Sequence, residues 1–105
     1  MTNLERLSSL IGLAQRAGKV ISGEELVVKA IQHQQVILVF LANDAGPNVT
    51  KKVTDKSNYY NVEVSTVLNA LELSAALGKP RKVAAIADAG FSKKMRTQIV
   101  KEKIT

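Results

Sequence analysis

The hydrophobic positions at the start of the chain repeat with the period of an α-helix. Apolar residues lie three or four positions apart at Leu4, Leu7, Ile11 and Ala14. Thr2 is followed three positions later by Glu5, which is the pattern of a capping box. Gly18 is placed to end the helix. The pattern therefore predicts a helix that begins after Thr2 and ends near Gly18.

Two later segments have a different pattern, a nearly continuous run of apolar residues. They are QVILVFLA at 35–42, which is rich in β-branched residues, and KVAAIAD at 82–88. A strand that is covered on both faces has this composition. KVIS at 19–22 and VEVSTV at 62–67 are shorter candidate strands, and the second alternates apolar with polar residues.

Helical patterns fill the stretches between these four predicted strands. They cover 23–33, the segment after Pro47, 69–78 and 90–104. Pro47 suits a first helical turn, and Asn69 with Glu72 forms a second capping-box pattern. Helices that alternate with strands predict helices on both faces of one sheet. We therefore expect an α/β fold, a three-layer α/β/α sandwich around a small mixed four-stranded sheet.

Length and composition restrict the function that this fold can have. The 105 residues suit a single domain spanning 1–105. They include 15 Lys and Arg against 9 Asp and Glu, for a net charge of +6. This excess favours a polyanionic partner, either nucleic acid or an anionic membrane surface. Because only two Phe and two Tyr are present, a platform that stacks single strands is disfavoured, and hydrogen bonds and phosphate contacts must carry recognition.

Other functions are made less plausible by what the sequence lacks. No apolar run has the length of a membrane span, and the N-terminus lacks the pattern of a signal peptide. We therefore expect a cytoplasmic protein with no membrane partner. Cysteine is absent and His33 is the only histidine, so we expect no disulfide, no metal site and no cofactor.

One stretch, ISGEELVVKA, concentrates acid in this basic chain, because Glu24 and Glu25 follow Gly23 directly. In one interpretation, Ser22 and Glu25 form a capping box and the helix dipole favours an acidic first turn. In the other, Gly23 lets another backbone approach, while the carboxylates reach base edges and Lys29, one turn beyond, contacts a phosphate. The second interpretation suits a folded RNA with bulges or distorted pairs, since the A-form major groove is too narrow to read.

Four stretches of the sequence carry a family resemblance across nearly the whole chain. They are LIGLAQRAGKVISGEELVVKAI, VFLANDAGPNVTKKV, LELSAALGK and KVAAIADAGF. They resemble the kink-turn-binding ribosomal proteins, whose archetype is the archaeal large-subunit protein "seven-Ae", and within that superfamily the small bacterial YlxQ-like, ribosome-associated group. The resemblance implies the α/β/α fold and RNA binding.

The resemblance also identifies where this chain departs from the family. The family pattern after the first strand is Gly-x-Asn-Glu-x-x-Lys, which Gly23 and Lys29 match, whereas Glu25 replaces the asparagine and Leu26 the glutamate. In the family, these two positions read sheared G·A pairs. Glu25 can still accept a hydrogen bond from a guanine edge, but Leu26 cannot. The resemblance further implies that the loop of Asn43, Asp44 and Ala45 lies beside the RNA.

Two more departures lie near the end of the predicted helix 69–78. Leu73-Ser74 replaces the usual Leu-Gly, and the basic GKPRK at 78–82 replaces an apolar loop that packs on an extruded nucleotide in many members. Lys79, Arg81 and Lys82 would contact phosphates rather than cover a base. The alternative is a solvated basic turn with no role in binding.

An enzymatic function receives little support. Asp44 and Asp88 each follow a buried strand, a position at which carboxylates hold metals or phosphoryl groups in doubly wound enzymes. The simpler interpretation is that each aspartate begins the turn into the next helix. The chain contains no glycine-rich phosphate loop and no Ser–His–Asp or Cys–His set. We therefore expect no catalysis and no small-molecule substrate.

The sequence thus predicts a non-enzymatic protein that binds structured RNA, either ribosomal RNA or a kink-turn-like motif, with the ribosome as a candidate partner. The alternative class is a protein-interaction module that docks on a ribosomal or other protein, and net charge alone does not separate the two. The predicted RNA-binding residues are Lys19, Gly23, Glu24, Glu25, Lys29, Asn43, Asp44, Ala45, Lys52, Lys79, Arg81 and Lys82.

Overall fold

Helices and strands alternate along the computed structural model, which describes residues 2–104 and the side chains of residues 2–101. The helices in this range are α1 (Asn3–Arg16), α2 (Glu24–Gln32), α3 (Pro47–Tyr59), α4 (Ala70–Leu77) and α5 (Ala89–Ile104). The strands are β1 (Val20–Ser22), β2 (Leu38–Leu41), β3 (Glu63–Ser65) and β4 (Val83–Ile86). The predicted order of elements is confirmed.

Strand β2 begins later than the predicted 35–42. Gln34 has a φ of 56°, and the backbone N–H of Gln35 donates to the carbonyl of Ala30 at 2.9 Å. These residues therefore finish the end of α2 and are not free to pair with a neighbouring strand. Strand β3 is likewise shorter than the predicted 62–67, because the N–H of Val62 donates to the carbonyl of Ser57 at 2.8 Å.

The four strands form one mixed sheet in the order β1-β4-β2-β3. Strand β4 is antiparallel to β1 and β2, and β2 is parallel to β3. The carboxyl ends of β1, β2 and β3 consequently lie at the edge where β4 begins. We call this the upper edge, marked by Ser22, Leu41, Ser65 and Val83, and the opposite one the lower edge. Helices α2, α3 and α4 all begin at the upper edge.

Helices cover both faces of the sheet, which confirms the α/β/α sandwich. On one face, α1, α4 and α5 pack against Leu38, Phe40 and Ile86. On the other face, α2 and α3 pack against Val39, Leu41 and Ala85. Every residue of β2 and β4 is buried, as their continuous apolar sequences predicted. None of the described helices is long and apolar enough to cross a membrane.

Two of the three predicted capping boxes are present. Those of α1 (Thr2 with Glu5) and α4 (Asn69 with Glu72) have both reciprocal hydrogen bonds. The backbone and side chain of Thr2 hold the pKa of the Glu5 carboxyl below its usual value.

The third box, that of Ser22 with Glu25 in one of the two interpretations of this stretch, does not form. Ser22 belongs to β1, and its hydroxyl accepts a hydrogen bond from Nε of Arg81 at 3.2 Å. The N-cap residue of α2 is Gly23, and no side chain caps this helix.

Candidate nucleic-acid interface

The first turns of the three helices at the upper edge differ. Helices α2 and α3 begin at glycines with nearly the same positive φ, 97° at Gly23 and 96° at Gly46, and neither has a side-chain cap. Helix α4 instead has the Asn69 box, and Asp44 Oδ1 accepts another hydrogen bond from the N–H of Ala70 at 2.8 Å. The free N–H groups of α2 and α3 are thus open to an external acceptor, whereas those of α4 are used by the protein.

The basic loop 78–82 is fixed beside the start of α2. Ser74 Oγ accepts from the backbone N–H of Arg81 at 3.0 Å and donates to the Arg81 carbonyl at 3.1 Å. The guanidinium of Arg81 donates from Nε to Ser22 and from Nη1 to the carbonyl of the preceding residue at 2.6 Å. A Cβ added at Gly23 would lie 3.9 Å from this Nε. The loop therefore reaches the backbone at which α2 begins.

A groove of about 350 Å³ separates the start of α2 from this loop. Its lining consists of Glu24, Val49, Ala70, Ser74, Pro80, Arg81, Lys82 and Val83. Lys52 reaches the rim from α3, where its Nζ lies 4.0 Å from Oε2 of Glu24. Both side chains of this ion pair are substantially exposed, so it contributes little to stability and leaves Lys52 available to another anion. The groove has an apolar wall and a rim on which cations outnumber the one carboxylate.

A comparison with known sequences identifies the family of this chain. The sequence pattern of the ribosomal protein L7Ae/L30e/S12e/Gadd45 family matches residues 5–96. The chain belongs to this family. It is 47% identical over 97 residues to the RNA-binding protein YlxQ of Enterococcus faecium, covering 92% of this chain and 94% of that protein. The RNA-binding protein YlxQ of Bacillus subtilis is 48% identical over 87 residues, 82% of this chain and 87% of that protein.

Solved structures share the fold of this chain. A protein of unknown function from Bacillus halodurans C superposes with a TM-score of 0.85 at 46% identity, covering 90% of this chain and 96% of that one. The Giardia lamblia 15.5kD RNA binding protein superposes with a TM-score of 0.75 over 96% of this chain and 88% of that one. Since the latter is only 16% identical, it shows a shared fold alone. The family resemblance inferred from the sequence is confirmed.

In this L7Ae-family chain, most of the predicted binding residues lie at the upper edge. Gly23 and Glu24 begin α2 at the groove, and Arg81 and Lys82 line its other side. Glu25 and Lys29 are exposed one turn apart on α2, and no ion pair joins them among the described side chains. Lys79 is exposed in the basic loop.

The loop after β2 lies beside the groove and holds a neighbouring loop in place. Nδ2 of Asn43 donates to the carbonyl of Thr66 at 3.2 Å. Asp44 accepts from the N–H of Ala70, so its carboxylate serves α4 and not the helix that follows it in sequence. Ala45 is 3% exposed and can offer a ligand only its backbone.

Among the predicted residues, Lys19 lies at the opposite end of the sheet from the groove. Its carbonyl accepts from the N–H of Ala87 at 2.9 Å, at the lower edge where β4 ends. Strand β1 separates Lys19 from Gly23, a distance of about 13 Å at the usual rise of a strand.

The positions of the two aspartates bear on the enzymatic alternative. Asp44 lies at the upper edge, whereas Asp88 lies at the lower edge, where its Oδ2 accepts from the N–H of Phe91 in the first turn of α5. The interpretation that Asp88 begins the next helix is confirmed. Within the described residues, no group of three or more His, Cys, Asp or Glu is arranged to hold a metal ion.

Sequence reasoning missed the residues that position the basic loop. The sequence shows Ser74 only as a departure from the family's Leu-Gly, and its two hydrogen bonds to Arg81 give that departure a structural role. Ser22, a cap residue in one of the two interpretations of its stretch, instead contacts Arg81. Neither contact follows a local spacing rule, since Ser22 and Arg81 are 59 positions apart.

Proposed function

We propose that this protein binds structured RNA and catalyses no reaction. The observation that carries the proposal is the uncapped start of α2 beside the cations of the groove, Lys52, Arg81 and Lys82. Helix N–H groups and Lys or Arg side chains are the groups that bind phosphate oxygens. Two relatives that are nearly half identical over most of their length carry the name RNA-binding protein, which supports the same assignment.

The proposed contacts divide into base-reading and phosphate-binding groups. Gly23, Glu24 and Glu25 face base edges and the adjoining backbone, where an exposed carboxylate can accept from guanine N–H groups. Lys29, Lys52, Lys79 and Lys82 contact phosphates, which sets affinity but reads no sequence. Arg81 is held by Ser22 and Ser74 and shapes the groove, with its remaining N–H groups turned to the RNA. The loop of Asn43, Asp44 and Ala45 supports this surface.

We propose that the RNA is a kink-turn-like motif or a structured part of ribosomal RNA. A bent or bulged RNA exposes base edges that a regular A-form helix hides, and a helix start with two carboxylates suits such edges. Leu26 is 61% exposed, so the position at which the family has a base-reading glutamate offers an apolar surface here. The RNA bound by this protein should therefore differ in detail from a standard kink-turn.

Titrations of a kink-turn RNA and of a ribosomal RNA fragment at several salt concentrations test the proposal. About four phosphate contacts predict a slope of log K against log salt of roughly −3 to −4. Lys29→Ala should weaken all RNAs without changing their rank order, since a phosphate contact is independent of sequence. If neither RNA binds at low salt while a protein partner binds tightly, the RNA-binding assignment is wrong and the protein-interaction alternative is favoured.

A double variant tests the kink-turn part separately. Glu25→Asn with Leu26→Glu restores the family's pair and should raise affinity for a standard kink-turn. Because Leu26 is largely exposed, the change should alter the free energy of unfolding by less than about 0.5 kcal/mol. Leu71→Glu, at an exposed leucine of α4, controls for the replacement of an exposed leucine by glutamate outside the proposed base-reading pair. An unchanged or lower kink-turn affinity in the double variant would argue for another class of structured RNA.

A further inference from the structure

One side of α3 carries two lysines and an aromatic ring in a row that leads away from the groove. Lys52, Lys56 and Tyr59 recur at intervals of four and three residues, so they lie on one side of the helix. Lys52 lies at the groove rim beside Glu24, and Tyr59 is the last residue of α3. We call these three residues the α3 track. Along the helix, it spans about 10 Å at a rise of 1.5 Å per residue.

The ring at the end of the track is both exposed and held in place. Tyr59 is 78% exposed, although the chain has only two Tyr and two Phe. Its centroid lies 4.8 Å from that of Tyr60, with an angle of 70° between the rings. Tyr60 itself packs against the core under α2 and α3. The edge-to-face contact therefore holds the Tyr59 ring against a partly buried tyrosine and leaves the ring accessible.

The α3 track consists of two lysines and a tyrosine, so its own side chains carry positive charge. A concavity of about 540 Å³ at the tyrosines is lined by Asp55, Lys56, Tyr59 and Tyr60, and among these four residues only Asp55 is acidic. Lys51 binds the Asp55 carboxylate at 2.7 Å and offsets its charge, and this contact raises the pKa of Lys51. No ion pair engages Lys56 among the described side chains. An anion that follows the track from the groove thus meets Lys52, then Lys56, then the ring.

We propose that the α3 track binds a short unpaired strand that leaves the structured RNA held at the groove. Lys52 and Lys56 contact consecutive phosphates, and Tyr59 stacks one base. At about 3.4 Å per stacked nucleotide, the 10 Å track accommodates about three nucleotides. The inference rests on the proposed function, because the groove supplies the structured RNA, and it adds a second contact site with a different ligand chemistry.

The composition of the chain disfavoured a platform that stacks several bases, and the α3 track does not require one. A single exposed ring next to cations suffices for one base, and such stacking tolerates any base because every base has a π-face. The preference of the site should therefore be for an unpaired nucleotide of any sequence at a fixed distance from the structured element.

The test compares one structured RNA in blunt form with the same RNA extended by four unpaired uridines at either its 5′ or its 3′ end. One of the two extensions should raise the affinity of the wild-type protein about tenfold, and the other should have no effect. Tyr59→Ala should remove this gain and leave the affinity for the blunt RNA unchanged. Tyr59→Phe should keep the gain, since stacking needs the ring and not the hydroxyl. An abasic site at the stacked position should remove it as well.

Lys56→Ala has a matched control in Lys93→Ala, at an exposed lysine of α5 on the opposite layer. Only Lys56→Ala should reduce the gain from the extension. Crosslinking of 4-thiouridine in the extension should label the peptide that contains Tyr59. Tight binding of the blunt RNA with no gain from either extension would overturn the α3 track and leave the proposed function intact. A gain that survives Tyr59→Ala would overturn it too, and failure of all RNAs to bind would overturn both.

Discussion

Helices α4 and α2 begin at the same edge of the sheet, but only in α4 do protein side chains accept hydrogen bonds from the first N–H groups. Helix α4 uses Asn69 and Glu72 as a capping box and receives Asp44 from another loop. Helix α2 begins at Gly23, with a φ of 97° and no side-chain cap. Glycine at the N-cap is less stabilising than a capping side chain by only a few tenths of a kcal/mol, roughly, so α2 leaves its first N–H groups free at little cost in stability.

This difference indicates which of the two helix starts is available to bind a ligand. The start of α4 is already occupied by oxygens of the protein, so an incoming phosphate or base would have to displace them. The start of α2 is open and lies beside Arg81, Lys82 and Lys52. The box of Ser22 with Glu25 does not form, so of the first interpretation only the acidic first turn, which the helix dipole favours, remains. We interpret the two glutamates that follow Gly23 as groups directed at a ligand.

The largest expected effect comes from the glycine that begins α2. Gly23→Ala forces a side chain into a φ of 97°, which should lower the free energy of unfolding by about 1–3 kcal/mol. The new methyl group would also stand where the RNA backbone approaches. RNA affinity should fall at least tenfold, or about 1.4 kcal/mol. Chemical denaturation and RNA titration of the same variant measure the two effects.

Gly46→Ala is the matched control, since Gly46 has a φ of 96° and nothing lies within 4 Å of an added Cβ. It should lower stability by a similar amount and affect RNA binding less. Equal losses of RNA affinity in the two variants would mean that backbone strain, and not the position of Gly23, causes the effect.

The next effect distinguishes the carboxylates of the two helices. Glu25→Gln should weaken RNA binding by about 1–2 kcal/mol, because a charge-assisted hydrogen bond becomes a neutral one. Its effect on unfolding should not exceed about 0.3–1 kcal/mol, the value of an acidic residue in a first turn. Binding and melting curves recorded on the same preparation separate the two.

Glu72→Gln is the control in α4, whose first N–H groups are capped. Glutamine also serves in a capping box, so RNA affinity should not change. If Glu25→Gln behaves like Glu72→Gln, Glu25 accepts no hydrogen bond from the RNA and the base-reading site lies elsewhere.

The cap of α4 should show the reverse preference, with an effect on stability alone. Asn69→Ala removes the side chain that accepts from the N–H of Glu72 at 2.8 Å. The free energy of unfolding should fall by about 1 kcal/mol, as measured by urea denaturation, while RNA affinity stays at the wild-type value. A clear loss of RNA affinity would show that α4 contributes to the interface, although its first N–H groups are capped.

The smallest effect is a pH dependence at the capped start of α1. Hydrogen bonds from Thr2 lower the pKa of the Glu5 carboxyl from its usual value, so the folded state favours the charged carboxylate. This contribution is present above the unfolded pKa and is lost as pH falls through the folded pKa. The stability difference between wild type and Glu5→Gln should therefore narrow below about pH 4.5. Urea midpoints at several pH values measure it, and a difference that widens in acid would contradict the assignment.

The sequence by itself determined the elements and the faces they bury. The apolar spacing of Leu7, Ile11 and Ala14 predicted the buried face of α1, and all three are 0% exposed. The caps at Thr2 and Asn69 were also predictable, because the groups they join are three residues apart. Helical periodicity, strand alternation and capping act over a few residues, so a single sequence contains the information that they need.

The site was only partly predictable. The family resemblance pointed to Gly23, Lys29 and the loop 78–82, because matching motifs can be aligned without knowing the structure. It did not indicate that Ser74 holds Arg81, or that Asp44 closes α4 while α2 stays open. Lys19 was predicted from charge alone, and the register of β1 with β4 places it at the lower edge.

The tertiary structure decided which side chains meet. Ser22 and Arg81 are 59 positions apart, and Asp44 and Ala70 are 26 apart. The first pair forms because β4 lies beside β1, and the second because β2 and β3 are parallel neighbours whose carboxyl ends lie at the same edge. Local rules allowed Ser22 to cap α2. Its pairing in β1 with β4 and its hydrogen bond from Arg81 engage the serine elsewhere. The order of the strands thus leaves the first N–H groups of α2 without a side-chain cap. Hydrogen bonds between distant segments depend on strand register and not on local sequence, so this outcome could not be read from the sequence.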